Sequence, residues 1–217
     1  MKYRHVILIV VLILVIDQAV KIWVKTHMYM QQEIPVFPNW FFIHFIENEG
    51  MAYGLKFGGE FGKIILTLFR LIAVIVGFVY MKKLIAEKYS RGLLICGSLI
   101  LAGATGNLID SMFYGMIFND SLGYNVAQLF PKEGGYGTFL HGRVVDMLYF
   151  PIYEGVLPKW IPFKGGDTFI FFRPVFNIAD AAISTGVITI LLFQKRFFGR
   201  HMEPKESTNS IASDTAA

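Results

Sequence analysis

The sequence predicts an α-helical membrane domain with four transmembrane helices, on three observations: a strongly apolar composition, four long apolar stretches, and an uneven distribution of lysine and arginine. Of 217 residues, 54% are hydrophobic and 16% aromatic, with 21 Phe, against 17% charged residues. That balance lies outside the range of ordinary soluble domains. A hydrocarbon core of about 30 Å requires about 20 helical residues, and the stretches 6–24, 64–81, 92–111 and 175–194 come close to that length. Ten Lys and Arg residues (Lys2, Arg4, Lys82, Lys83, Lys88, Arg91, Lys195, Arg196, Arg200 and Lys205) fall in the N-terminus, the short middle connection and the C-terminal tail. Eight are spread over the two much longer connections, 25–63 and 112–174. Since positive charge concentrates in cytoplasmic loops, both termini are expected in the cytoplasm and both long connections outside.

The first stretch, behind Lys2 and Arg4, has the look of a cleavable signal peptide, but no small-x-small site follows Ile16. Asp17 and Lys21 follow instead, so the span is read as retained. The connection 25–63 contains an aromatic and β-branched run from Trp40 to Ile46, which predicts a strand or an interfacial segment. The second span carries Arg70, about 10 Å inside its outer end at 1.5 Å per residue. The third closes on Asn107 and Asp110. The connection 112–174 holds Gly134, Gly135 and Gly137, then strand-like runs from Val144 to Phe150 and from Phe169 to Phe172. Asn177 and Asp180 open the fourth span. The stretch 201–217 is polar and predicted to be disordered, leaving 1–200 as one membrane domain without internal repeat.

Several function classes drop out. The formal charge of +4 arises from short basic clusters flanking apolar runs, not from a continuous stripe, so no nucleic-acid partner is expected. Cys96 is the sole cysteine and sits within an apolar run, which excludes an intrachain disulfide and a cysteine-based metal site. His5, His27, His44, His141 and His201 show no HExxH spacing, and no metal or other cofactor is expected. Ser98, Ser111 and Ser184 belong to no GxSxG or SxxK motif.

What remains is a layer of polar residues, contributed by every span, just beneath the outer face. Charged groups inside a bilayer are costly and either pair or serve a function. Asp17 and Lys21, at i,i+4, read as a structural ion pair, and Asn107 reads equally as a helix-packing group. Asp110 either orients a site or caps and pairs near its helix end. The carboxylates Asp110, Asp146 and Asp180 outnumber the cations predicted beside them. Two carboxylates in a poorly solvated site share a proton, so one acts as general base on water while the other acts as general acid. The alternative is a small proton-coupled carrier using Asp17, Lys21, Arg70, Asp110 and Asp180 as a relay. That reading needs polar groups continuing through the inner half of the bundle, which is nearly all apolar, or an inverted repeat, and neither is visible in the sequence. A third reading is a non-catalytic assembly factor whose aromatic outer segments form a docking platform.

Five segments carry a family resemblance: Asp17-Gln18 with Lys21, Asn48 to Gly54 (NEGMAYG), Gly106 to Asp110 (GNLID), Gly142 to Asp146 (GRVVD) and Phe176 to Ile183 (FNIADAAI). In this order the chain resembles lipoprotein signal peptidase (signal peptidase II), the aspartyl membrane endopeptidases that cleave diacylglyceryl-modified prolipoproteins before the lipidated cysteine. The resemblance implies Asp146 and Asp180 as the catalytic pair. It implies Asn48, Gly50, Asn107, Asp110, Arg143 and Asn177 as substrate-binding or supporting residues, and a small β-rich cradle on the periplasmic face. It further implies a monomeric, multi-pass protein of the bacterial inner membrane, in contact with membrane lipids, lipid-modified signal peptides and cyclic-peptide inhibitors of the globomycin type. The chain departs from the family pattern twice. Ser111 stands where the family usually has Arg, so that either Arg143 supplies the cation or the site works without it. About 26 residues, from Met116 to His141, separate the GNLID segment from GRVVD, where compact members have only a few.

Overall fold

The computed structural model describes residues 1–49, 59–151, 153–156, 158, 160, 166–171 and 174–202. Among the described residues, three helices are long and apolar enough to cross a membrane: α1 (Tyr3–His27), α2 (Gly59–Ala86) and α3 (Arg91–Ile117). Their outward faces carry Leu8, Leu12, Val15, Phe61, Phe69, Ile72 and Val79, all well exposed, as expected of surfaces that meet lipid and not water. A fourth apolar helix, α4 (Ile178–Leu192), has 15 residues, about 22 Å at 1.5 Å per residue. It is shorter than the expected stretch 175–194 because Val175–Phe176 form a strand, β6, and Asn177 caps the helix. The Asn177 side chain accepts from Asp180 N at 2.9 Å, and the Asp180 carboxylate accepts from Asn177 N at 3.4 Å, a reciprocal pair that fixes the helix start. Helix α5 (Gln194–Met202) follows and takes in His201 and Met202, the first residues of the predicted tail. The rest of that tail lies outside the described residues.

Helix α3 is the centre of the bundle, with α1, α2 and α4 packed around it. Close approach of α3 and α4 depends on Gly103, where a Cβ would meet the Ala179 carbonyl oxygen at 2.1 Å. Small residues at helix crossings have this role in apolar surroundings, where van der Waals contact drives association.

A four-stranded antiparallel sheet, in the order β1 (Glu33–Phe37), β2 (Phe41–Asn48), β3 (Val144–Tyr149), β6, lies across one end of the bundle. A separate hairpin joins β4 (Tyr153–Val156) to β5 (Thr168–Phe171). The aromatic and β-branched runs predicted from composition therefore became β2, β3 and β5. Two apolar cores result. Val24, Met28, Phe45, Tyr114, Phe118, Val145 and Met147 pack between the helices and the sheet. Val6, Val10, Met81, Leu84, Leu94 and Leu101 fill the opposite end. The polar layer lies between them.

The segment 116–141 folds back onto the end of α3. Backbone N–H groups of Gly142, Leu140, Gly137 and Phe130 donate to the carbonyls of Ser111, Met112, Gly115 and Ile117 at 2.7–3.1 Å. The bonds to Gly115 and Ile117 supply partners for carbonyls that a free helix end leaves unmet, and together the four hold the last turns of α3, which runs to Ile117 and not to the predicted 111. At Gly142 the returning chain comes so near that a Cβ would lie 1.9 Å from the Asp110 carbonyl oxygen. The 26 extra residues thus leave and rejoin the helix end within a few residues, and β3 starts beside Asp110.

Candidate active site

Local structure delivers two carboxylates to the same place. Asp146 lies mid-strand in β3, paired with Ile46 of β2. The pairing of Leu148 with Phe176 runs β6 alongside, so Asn177, the next residue, comes level with Met147, one residue from Asp146. Asp180 follows one turn into α4. Asn177 is fully buried and bridges the two: its Nδ2 donates to Asp146 Oδ1 at 2.7 Å, while its Oδ1 accepts from Asp180 N. Asn107 of α3 completes the bridge, its Nδ2 donating to Asp180 Oδ1 at 2.7 Å and its Oδ1 accepting from Asn177 Nδ2 at 3.1 Å. Asn48, at the end of β2, contacts Asp146 Oδ2 at 3.5 Å. Gly50 lies outside the described residues.

Beneath this pair sits an ion cluster on α1. Lys21 Nζ stands 2.9 Å from Asp17 and 2.7 Å from Asp110, and it donates to Asn107 Oδ1 at 2.9 Å. All three charged side chains are at most 1% exposed. The predicted Asp17–Lys21 pair is present but is part of something larger. Asp17 Oδ1 also accepts from Ala179 N at 2.9 Å, setting a carboxylate on the positive end of α4. Asp110 both pairs with Lys21 and approaches Val145 N at 3.5 Å, next to Asp146, so one residue links α1, α3 and β3.

The electrostatic setting of Asp146 follows from this geometry. Burial penalises its charged form, the neighbouring charge of Asp180 does so further, and hydrogen bonds from Asn177 and Asn48 only partly compensate. The carboxyl is pushed up to about 7. It is therefore an acid poised to hold a proton near neutral pH.

Arg143 is not part of this pair. Its Nη1 lies 3.0 Å from Glu47 and 3.1 Å from Asp120, and its guanidinium covers the Tyr136 ring at 4.7 Å. Of the two readings left open by Ser111, the cation from Arg143 is the one this geometry does not support. Three participants were given no part in the catalytic reading of the sequence. Gln18 donates to Asp110 Oδ1 at 2.8 Å and accepts from the Tyr114 hydroxyl at 3.1 Å; it stands in the DQxxK segment, which was its signal. Arg70, named in the sequence only within the polar layer and the carrier relay, reaches Ser111 Oγ with its Nη1 at 3.5 Å. Glu47 forms a buried salt bridge with Lys25; a charge in a connection looks solvated in sequence, so nothing marked it.

Comparison with known proteins shows the family and the fold of the chain. The family profile described as Signal peptidase (SPase) II matches residues 9–196. The chain is similar to a lipoprotein signal peptidase of Porphyromonas gingivalis, 50% identical over 200 residues, covering 92% of this chain and 86% of that protein. A lipoprotein signal peptidase of Amoebophilus asiaticus is 37% identical over 209 residues, covering 95% and 84%. Two solved bacterial membrane enzymes share the fold. The first has a TM-score of 0.59 at 26% identity, with 93% of each chain covered. The second has a TM-score of 0.55 at 27% identity, covering 88% of this chain and 92% of the other. None of these relatives supports the carrier reading.

Proposed function

The chain belongs to the signal peptidase (SPase) II family, and on that premise we propose that it is an aspartyl endopeptidase that removes the signal peptide from diacylglyceryl-modified prolipoproteins, with Asp146 and Asp180 as its catalytic pair. The observation that carries this reading is the Asn177–Asn107 bridge, which clamps two carboxylates from different elements at one end of the bundle. The protein is a bacterial inner-membrane enzyme with α4 as its fourth span, both termini cytoplasmic, and the sheet on the periplasmic side. Its scissile bond lies at the membrane edge while the acyl chains stay in the bilayer. Among the described residues, helices α2 and α4 each pack more closely against α3 than against each other, and this side of α3 is the natural route for a lipid-anchored substrate.

The chemistry divides between the two aspartates. Asp146, held protonated by its burial, donates to the scissile carbonyl oxygen as water adds to the carbon. Asp180, near the positive end of α4 and hydrogen-bonded by Asn107, accepts the proton of that water. On collapse the C–N bond breaks, the leaving nitrogen takes the proton from Asp180, and Asp146 recovers its own. Asn107 and Asn177 hold both carboxylates without competing for a proton, since an amide does not titrate. Asn48, Gly50 and Asp110 support the site, and the Asp17–Lys21 pair anchors it to α1.

The test is hydrolysis of a diacylglyceryl-modified prolipoprotein by the detergent-purified protein, with a chelator present. Cleavage before the modified cysteine, retained under chelation and lost in Asp146→Asn and Asp180→Asn, is the expected outcome. Loss on chelation sinks the dyad, and full activity in either variant sinks its assignment.

A further inference from the structure

The segment 116–141 contributes nothing to the catalytic pair, yet its surface is not that of a loop in water. Leu122, Tyr124, Phe130 and Phe139 are all exposed, Phe130 by 73%. A fixed frame presents them. Backbone bonds tie the segment to the last turns of α3, and Phe118, Ser121 and Ala127 are buried beneath it. Phe130 stands at a φ of 52°, a left-handed conformation that favours glycine and is rare for a bulky side chain. Neither packing nor backbone preference selects a phenylalanine there, so its ring answers to something outside the chain.

The surroundings say what that is. The Phe139 ring meets Phe113 at 5.7 Å, and Phe113 and Met116 are exposed residues of the final turns of α3. Phe130 N donates to Ile117 O at 2.7 Å, at the last residue of that helix. Tyr124 packs edge-on against Tyr29 at 5.2 Å, just beyond α1, where the exposed Trp23 stacks on His27. Lys63 of α2 donates to His141 O at 2.9 Å. The segment therefore touches the sheet end of all three long helices, and the apolar surface they turn to lipid continues onto it. At 1.5 Å per residue, Phe113 lies about 4 Å and Ile117 about 10 Å beyond Asp110 along α3. Exposed Lys132 and Glu133 follow Phe130 closely. Rings beside charges at a helix end suit the headgroup boundary of a bilayer, where aromatic side chains gather.

We propose that the segment 116–141 is a membrane-interface collar, laying Phe130 and Phe139 into the headgroup boundary of the leaflet at the sheet end and so setting how far beneath the bilayer surface the Asp110 layer lies. The occupant of the patch is lipid, since the patch is continuous with lipid-facing residues of α3. The collar needs only the membrane helices and stands apart from the roles of Asp146 and Asp180.

Two measurements test it, on protein judged folded by size exclusion. In the first, nitroxide labels are placed at Phe130→Cys, Phe139→Cys and Glu133→Cys in a Cys96→Ala background, in vesicles of phosphatidylethanolamine and phosphatidylglycerol. Collisions with oxygen, which enters the bilayer, are compared with collisions with a water-soluble nickel chelate. The oxygen-to-nickel ratio at 130 and 139 should exceed that at 133 by about threefold or more, with 139 the deeper of the two. Ratios equal to that at 133 overturn the proposal. Labels at 130 and 139 shielded from both reagents also overturn it, because a second copy of the chain would then cover the patch. In the second, Phe130→Ser with Phe139→Ser is compared with wild type for prolipoprotein cleavage in the same vesicles and in detergent micelles. KM should rise about fivefold in vesicles, with kcat and KM in micelles within about twofold of wild type. An unchanged KM in vesicles, or an equal rise in micelles, overturns the role in setting depth. If the labelled proteins do not fold, the serine variant decides; if that variant does not fold, the labels decide.

Discussion

One turn apart on α1, Lys21 and Lys25 each anchor a buried ion cluster, and the two clusters differ in charge balance. Lys25 forms a salt bridge with Glu47, which Arg143 also contacts at 3.0 Å, and Arg143 in turn pairs with Asp120 at 3.1 Å. Two cations meet two anions. Ser121 joins Lys25 and Glu47, and the rings of Phe45, Phe118 and Tyr136 stand 5.1–5.9 Å from the Lys25 ammonium. Every charge there has its complement, and four of the participants, Phe118, Asp120, Ser121 and Tyr136, belong to the segment 116–141. That cluster fastens the segment to α1 and the sheet. Around Lys21 the carboxylates are in excess, and the surplus is Asp146 and Asp180. A balanced buried cluster holds a fold together, whereas an unbalanced one holds protons that can be moved.

The largest effect that tests this contrast is on turnover. Asp146→Asn or Asp180→Asn should reduce cleavage per folded molecule by about a thousandfold or more, because general acid and water activation fail together, while melting in detergent shows a folded protein. In the balanced cluster the reverse is expected. Glu47→Gln leaves Lys25, 1% exposed, without its carboxylate and deprives Arg143 of one of two partners. Removing one member of a buried pair costs about 3–5 kcal/mol, so the melting temperature should drop sharply, with cleavage per folded molecule nearly unchanged. If Glu47→Gln melts normally but loses its chemistry, the two clusters are not separable in this way.

How much of this was readable in the sequence follows from the same contrast. The unbalanced cluster was legible because charge in an apolar stretch is anomalous: Asp17, Lys21, Asn107, Asp110, Asn177 and Asp180 all stood out against Ile, Leu and Val. The strands β2, β3 and β5 were legible from their aromatic and β-branched runs. The balanced cluster was not, because Glu47, Asp120 and Arg143 sit in connections where charge is ordinary, and only the folding back of residues 116–141 brings them together. Arg143 was weighed as a site cation because it stands three residues before Asp146. Successive strand residues point to opposite faces, and the pairing of Val145 with Glu47 draws the neighbouring guanidinium toward Glu47 and Asp120. The early end of α4 was hidden for a related reason. Val175 and Phe176 are as apolar as the helix that follows, and only the Asn177 cap separates strand from helix.

A smaller effect is expected from Asp17→Ala. Lys21 keeps Asp110 at 2.7 Å, but α4 loses the carboxylate on Ala179 N. Loss of one charged hydrogen-bond partner costs about 1–3 kcal/mol. Less folded protein should be recovered, and activity per folded molecule should fall far less than in the dyad variants. Abolished cleavage in fully folded Asp17→Ala, together with near-normal cleavage in Asp180→Asn, would move the chemistry to α1.

The smallest effect is a pH dependence of stability. In the folded protein Asp146 keeps its proton up to about pH 7, whereas in the unfolded chain an aspartate releases it near 3.9. Between those values the folded state binds more protons than the unfolded one, so the contribution of Asp146 to stability falls as pH rises through the window and stays low above it. Asparagine cannot ionise and removes that penalty. The melting temperature of Asp146→Asn should therefore exceed that of wild type at pH 8, and the gap should narrow as pH falls toward 4. Every other titrating group is common to both proteins, so the difference reports on Asp146 together with the Asp180 charge it is coupled to. A gap that is constant with pH, or that widens toward acid, would mean that Asp146 ionises like an ordinary surface carboxylate, and the division of labour between the two aspartates would have to be reversed.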